Sequence, residues 1–192
     1  MLLSYDKTMH NAYEEVLINI FKNMNEQINR TLIEIDSLFK SVNIDFSNNT
    51  WRDDIPPKPG WYLIETDTPV EILKTIGSPL YKARINIPAA IEASNNLMTS
   101  RFCITQSGNH HYVVYNGEAV NLKARAREHV HGHAKTFCLG LSDYPILNKY
   151  SWRFSWVPVS ACKTLKAEDK SIRILFEQAW RSRHGWPVLC KK

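Results

Sequence analysis

Gly60-Trp61-Tyr62-Leu63-Ile64-Glu65-Thr66 follows a proline-rich run and is built of aromatic and branched residues, the composition of a β-strand. Outward from it, Tyr115-Asn116-Gly117 closes a second strand, His111–Tyr115, after which the pattern turns helical from about Asn121 to Lys135. Ser107-Gly108-Asn109 reads as a hairpin-like turn joining His111–Tyr115 to a further strand, Arg101–Gln106. Residues 151–159 alternate as another strand. Short helices are expected at Pro69–Ile76 and Pro88–Met98. A longer one is expected at Lys166–His184, with Ile172, Leu175, Phe176, Ala179 and Trp180 on one face.

Before this body, Leu17, Ile20, Phe21, Met24, Ile28, Leu32, Ile35 and Phe39 recur at three- and four-residue steps, which predicts one long helix over about 9–41. That stripe serves either packing within the chain or a seam between two copies. Residues 42–59 hold three prolines and many turn formers and read as a linker. The expected organisation is therefore a helix and linker over 1–58, then a domain over 59–192 with an insertion at about 67–110. The chain has 192 residues, 44% of them hydrophobic and 22% charged, so it is long and apolar enough for a real core and is not of disordered composition.

Charge is divided between the two parts. Residues 1–58 carry 6 Lys and Arg against 9 Asp and Glu, whereas 59–192 carry 18 against 10, giving −3 and +8 within the net +5. A basic body points to an anionic partner, with nucleic acid first. No apolar run approaches the roughly 18–20 residues of a membrane span. The N-terminal residues carry no secretory pattern, and the four cysteines (Cys103, Cys138, Cys162, Cys190) have no paired spacing. A reducing, cytoplasmic setting is expected.

The order of short motifs is more specific than any one of them. Gly60-Trp61-Tyr62 precedes Tyr115-Asn116-Gly117. Arg125 and His129 then stand eight and twelve residues after Gly117 on the following helix, and Glu177 lies on a late helix ten residues before Pro187. This pattern resembles the GIY-YIG nucleases, a family of excision-repair, homing and restriction endonucleases. The resemblance spans residues 60–66 and 111–190. It departs from the family in three places: Tyr62 and Tyr115 are 53 positions apart, Asn116 stands where an apolar residue is usual, and Cys190 stands where an Asn is frequent.

The resemblance implies an α+β fold, a small, mainly antiparallel sheet flanked by helices, with the N-terminal helix as an extension. It implies a Mg²⁺- or Mn²⁺-dependent endonuclease acting on double-stranded DNA, with a restriction-type enzyme as first choice. Tyr62 would be the base, Tyr115 would position water or phosphate, and Arg125 would hold the developing phosphate charge with its donor fork. Glu177 would be the single protein ligand of the metal, which keeps most of its waters. His129, four residues after Arg125 and on the same helix face, would contact phosphate or assist proton transfer.

Lys123, Arg127 and Lys135 flank these residues and are candidates for DNA phosphates, although each equally fits a solvated helix face. In the run His129-x-His131-x-His133 only the first and last share a helical face, so three cannot meet one zinc ion. The tryptophans read as core. Cutting two strands with one site per chain calls for two chains or sequential nicks, and the N-terminal helix or the insertion is where a homodimer would form. The alternatives are a non-catalytic nucleic-acid-binding module on the same fold, and an assembly protein built on the long helix.

Overall fold

The computed structural model of the chain describes residues 3–77, 85–96, 104, 110–165 and 169–190. Helix α1 (Leu3–Leu38) is followed after one residue by the short strand β1 (Lys40–Asn43). Strand β2 (Gly60–Thr66) and helices α2 (Val70–Thr75) and α3 (Ile87–Asn96) come next. Strand β3 (Tyr112–Ala119), helix α4 (Leu122–His131), strand β4 (Trp152–Pro158) and helix α5 (Lys170–His184) complete the order. The strands form one antiparallel sheet, β1-β4-β2-β3. The chain is thus a small α+β fold with an N-terminal helix.

Alternation along β2 assigns the two faces. Tyr62 and Ile64 point to a core shared with Phe154, Leu122, Ala126 and Val130, so α4 covers this face. Trp61 and Leu63 point the other way, to Leu32 and Ile35 of α1 and to Phe176 and Trp180 of α5. The Trp61 indole donates to the Arg173 carbonyl of α5 at 2.9 Å, fixing that helix over the sheet. Trp152, Trp156 and Trp180 are buried, as their patterns predict, whereas Trp186, also expected in the core, is only half-buried.

Several elements differ from the sequence reading. The expected linker is partly structural: β1 pairs with β4 (Lys40 opposite Trp156, Asn43 opposite Arg153), and Trp51 and Ile55 enter the core. Strand β3 does not end at Tyr115 but runs to Ala119, because β2 pairs with it along its whole length. Helix α4 stops at His131 rather than Lys135, since Gly132 takes φ of 81° and turns the chain out. His133 and Lys135 therefore lie beyond the helix. Of the strand expected at Arg101–Gln106 only Ile104 falls within the described residues, and its amide donates to the Trp186 carbonyl at 3.0 Å. The turn at 107–109 lies outside them. Among the described residues, no helix is long and apolar enough to cross a membrane.

Candidate active site

Pairing of β2 with β3 places Tyr62 opposite Gly117 and Ile64 opposite Tyr115, so both tyrosines reach the α4 face. Their rings stack with centroids 6.1 Å apart, and Tyr62 also stacks on Phe154 at 5.3 Å. The glycine opposite Tyr62 has a steric cause. A Cβ on Gly117 would stand 2.5 Å from the Tyr62 hydroxyl oxygen and 2.7 Å from its ring carbon Cζ, so only glycine lets the ring lie flat across the strand.

Helix α4 begins at Asn121, whose side chain accepts the Ala124 amide at 2.9 Å. This cap sets the phase that turns Leu122, Ala126, Val130 and His129 inward and leaves Arg125 at the margin. Arg125 Nε donates to the Tyr62 oxygen at 3.0 Å. One terminal nitrogen meets Glu128 at 2.9 Å and the other donates to the Phe137 carbonyl at 2.7 Å. The guanidinium also hydrogen-bonds Tyr115, so its five N–H groups are largely engaged by the walls of the site.

His129 is fully buried, with Nε2 2.9 Å from the Tyr62 oxygen. Its Nδ1 accepts the Leu139 amide at 3.4 Å, so the neutral ring carries its proton on Nε2 and donates it to Tyr62. Burial, with the Arg125 charge second, holds His129 well below the ordinary imidazole range, and the ring stays neutral. The Tyr62 oxygen thus accepts two hydrogen bonds, one from a cation. Burial nevertheless pushes Tyr62 well above the ordinary phenol range, with Tyr115 adding to the rise and Arg125 opposing it. Burial likewise raises Tyr115.

A cleft of about 510 Å³ opens beside these residues, lined by Tyr115, Arg125, Asn121, Glu128, Thr136 and Phe137 among others. Tyr62 does not reach it, being only 1% exposed. Of the two tyrosines, Tyr115 faces the cleft, while Tyr62 and His129 stand behind it and hold Arg125. The position of His129 leaves no room for the phosphate contact expected of it.

Glu177 belongs to α5, on the other face, and meets the sheet at its edge without lining the cleft. Strand β3 is that edge, and its outward amides are taken by side chains: Glu118 N–H donates to Glu177 Oε2 at 3.2 Å, and Asn116 N–H to Cys190 Sγ at 3.3 Å. Glu177 Oε1 is paired with Arg181, one turn along α5. Arg181 Nε donates to Asn116 Oδ1 at 2.7 Å, and Arg173 pairs with Glu118 at 2.7 Å. Burial raises Glu177, against the attraction of Arg181, and the charge of Arg125 also reaches it. The buried Cys190 thiol is pushed up to about 11.

Among the described residues no cluster of three or more acidic, histidine or cysteine side chains forms a metal cage. Each Glu177 oxygen accepts one hydrogen bond, from Arg181 and from the Glu118 amide, and keeps a second lone pair. That donor set fits a hard divalent ion taking its other positions from water and phosphate.

The remaining candidates lie apart from the cleft. Lys123 pairs with Asp53 at 3.3 Å, Arg127 is exposed on the outer side of α4, and Lys135 is exposed beyond its end. Sequence reading missed Arg181 and the function of Asn116. The spacing of Arg173, Glu177 and Arg181 on one helical ridge signals an ion-pair row, but their bonding to β3 depends on sheet pairing that local pattern does not encode. No family model, no curated protein and no solved structure matches this chain, so the geometry of its own residues carries the functional reading.

Proposed function

We propose that the chain is a GIY-YIG-type endonuclease that hydrolyses phosphodiester bonds in double-stranded DNA. The observation that carries this reading is the convergence of Tyr62, Tyr115, Arg125 and His129, drawn from two strands and a helix, at the wall of one open cleft, with Glu177 at the sheet edge beside them. The Arg125 guanidinium, held in place by Tyr62, Glu128 and the Phe137 carbonyl, takes a non-bridging oxygen of the scissile phosphate, and the contact gains strength as charge builds there. Water attacks phosphorus in line with the leaving oxygen. Tyr115, which faces the cleft, orients that water and, in the phenolate form that the Arg125 charge and a cation on Glu177 would favour against burial, receives its proton, which reassigns the base role that the resemblance gives to Tyr62. Tyr62 and His129 are positioning residues, since they act by fixing Arg125. A divalent ion held by Glu177 would neutralise the phosphate and lower the pKa of bound water.

The test is incubation of supercoiled and linear DNA with Mg²⁺ or Mn²⁺, beside EDTA and Glu177→Gln controls. Metal-dependent cleavage should fall at least about 100-fold in the variant, compared at a temperature where circular dichroism shows it folded, because Glu177 also pairs with buried Arg181. A folded wild-type protein that binds DNA but never cuts it would instead select the binding-module reading.

A further inference from the structure

Lys123, Arg127 and His131 recur every fourth residue and form the outer ridge of α4. Both ends of the ridge are laced to the segment around the 3-10 turn Thr50–Arg52. Lys123 Nζ meets Asp53 at 3.3 Å, and His131 Nε2 meets Asn49 Oδ1 at 2.9 Å. Arg127 lies midway, and its charge acts on Arg52 of the turn, so two cations repel across a segment pinned at both ends. Arg52 lies over the Trp51 ring, 6.0 Å from its centroid, and its Nε is buried with no hydrogen-bond partner. Asp53 offsets Arg52 in part but is itself engaged by Lys123.

The repulsion between the two charges is one that a bound anion would remove, and the unpartnered Arg52 Nε–H is a donor awaiting an acceptor. We propose that Arg52 and Arg127 form a second anion site, outside the cleft, that grips one backbone phosphate of the bound nucleic acid. The effect on neighbouring groups agrees: burial and then the two arginines hold His131 below the ordinary imidazole range. Arg125 and Arg127 project about 200° apart around α4, so the two sites are separated by roughly a helix diameter, about 10 Å. Roughly three phosphates of one strand, at about 3.4 Å of axial rise each, cover that span. The inference rests on nucleic acid as the ligand of the cleft, and does not depend on cleavage.

The experiment uses the full chain in EDTA, so that no strand is cut. Anisotropy of a fluorescein-labelled duplex gives affinity across a salt series for the wild type, Arg52→Gln, Arg127→Gln, the double variant and a Lys149→Gln control. If both arginines hold one phosphate, either single variant weakens binding several-fold and reduces the slope of log K against log salt by about 0.9, with little further loss in the double. Melting curves with and without inorganic phosphate test the site itself. Arg127→Gln should melt above the wild type in phosphate-free buffer, and phosphate should raise the melting temperature of the wild type alone.

Unchanged DNA slopes in the double variant would overturn the nucleic-acid assignment, and a phosphate response lost in the variants would then identify free phosphate as the ligand. Unchanged slopes and unchanged melting together would overturn the anion site. Weaker DNA binding in the variants of a protein that never cuts DNA would sink the nuclease reading and leave this site standing.

Discussion

Removing the Tyr62 hydroxyl leaves Arg125 Nε–H and His129 Nε2–H each without its acceptor behind the cleft wall. Buried donors stranded in this way cost about 1–3 kcal/mol, so Tyr62→Phe should lower stability as well as cleavage. Tyr115→Phe removes one contact of Arg125 at the open cleft, where water can replace it, and should lower cleavage at least about 100-fold with a smaller change in melting temperature than Tyr62→Phe. Full activity in Tyr115→Phe would return the base role to Tyr62. His129 adds a pH dependence of defined sign. Its folded-state pKa is depressed, so its contribution to stability is complete above the unfolded value of about 6.5. As pH falls below that value, the unfolded chain takes up a proton that the folded chain refuses, and up to about 1.4 kcal/mol is lost per pH unit until the folded pKa is reached. Urea titrations at several pH values should show this slope in the wild type and a shallower one in His129→Gln. Arg125 and His129 stand out in the sequence by spacing from Gly117, and Tyr62 and Tyr115 by their short motifs. Their burial does not, since a Tyr, an Arg and a His on amphipathic elements look alike whether they face a cleft or the wall behind it.

At the scale of elements, β3 decides whether the site exists. It is an edge strand whose inner side pairs with β2 and whose outer amides are taken by Glu177 and Cys190, so its register fixes Tyr115 and Glu177 together. Gly117→Ala tests that register. Its Cβ meets the Tyr62 ring rather than a flexible chain end, so the strand or the ring must shift, at a cost of about 1–3 kcal/mol, and Arg125 shifts with its acceptor. Cleavage should fall much further than stability; wild-type rates in Gly117→Ala would mean that the stacked pair is not needed. The sequence predicts β2 and β4 well, because both alternate strongly between apolar faces. It misses β1 because Lys-Ser-Val-Asn carries one apolar residue and because the helical stripe before it runs on through Phe39. It ends β3 too early because Asn116-Gly117 reads as a turn when considered locally, whereas cross-strand pairing and the Arg181 contact hold it extended.

For the whole molecule, the first 58 residues divide differently from their composition. Leu32, Ile35, Ile44, Trp51 and Ile55 are buried against the body, whereas Tyr13, Val16, Leu17, Ile20, Phe21 and Met24 are exposed on the part of α1 that precedes them. Five large apolar side chains contribute about 1.5–3 kcal/mol each, or roughly 7–15 kcal/mol, which equals the whole net stability of an ordinary domain. Deleting residues 1–58 should therefore unfold the chain, while deleting 1–24 should remove only that helix's share of the circular dichroism and leave the melting temperature nearly unchanged. The exposed residues lie on the same helical face that docks lower down on α5 and β2, so the stripe continues past its own domain. An antiparallel pair of α1 helices centred between Ile18 and Asn19 sets Leu17 against Ile20 and Tyr13 against Met24 across the two-fold axis, a self-complementary seam. Such a pair brings two clefts into one particle, which is what a chain with a single site requires to cut both strands in one encounter. Light scattering should then give a dimer for the full chain and a monomer for both Leu17→Asp and the 1–24 deletion. The monomeric forms should nick supercoiled DNA while producing little linear product. A full chain that is monomeric at tens of micromolar would remove the seam and leave sequential nicking as the route to a double-strand break.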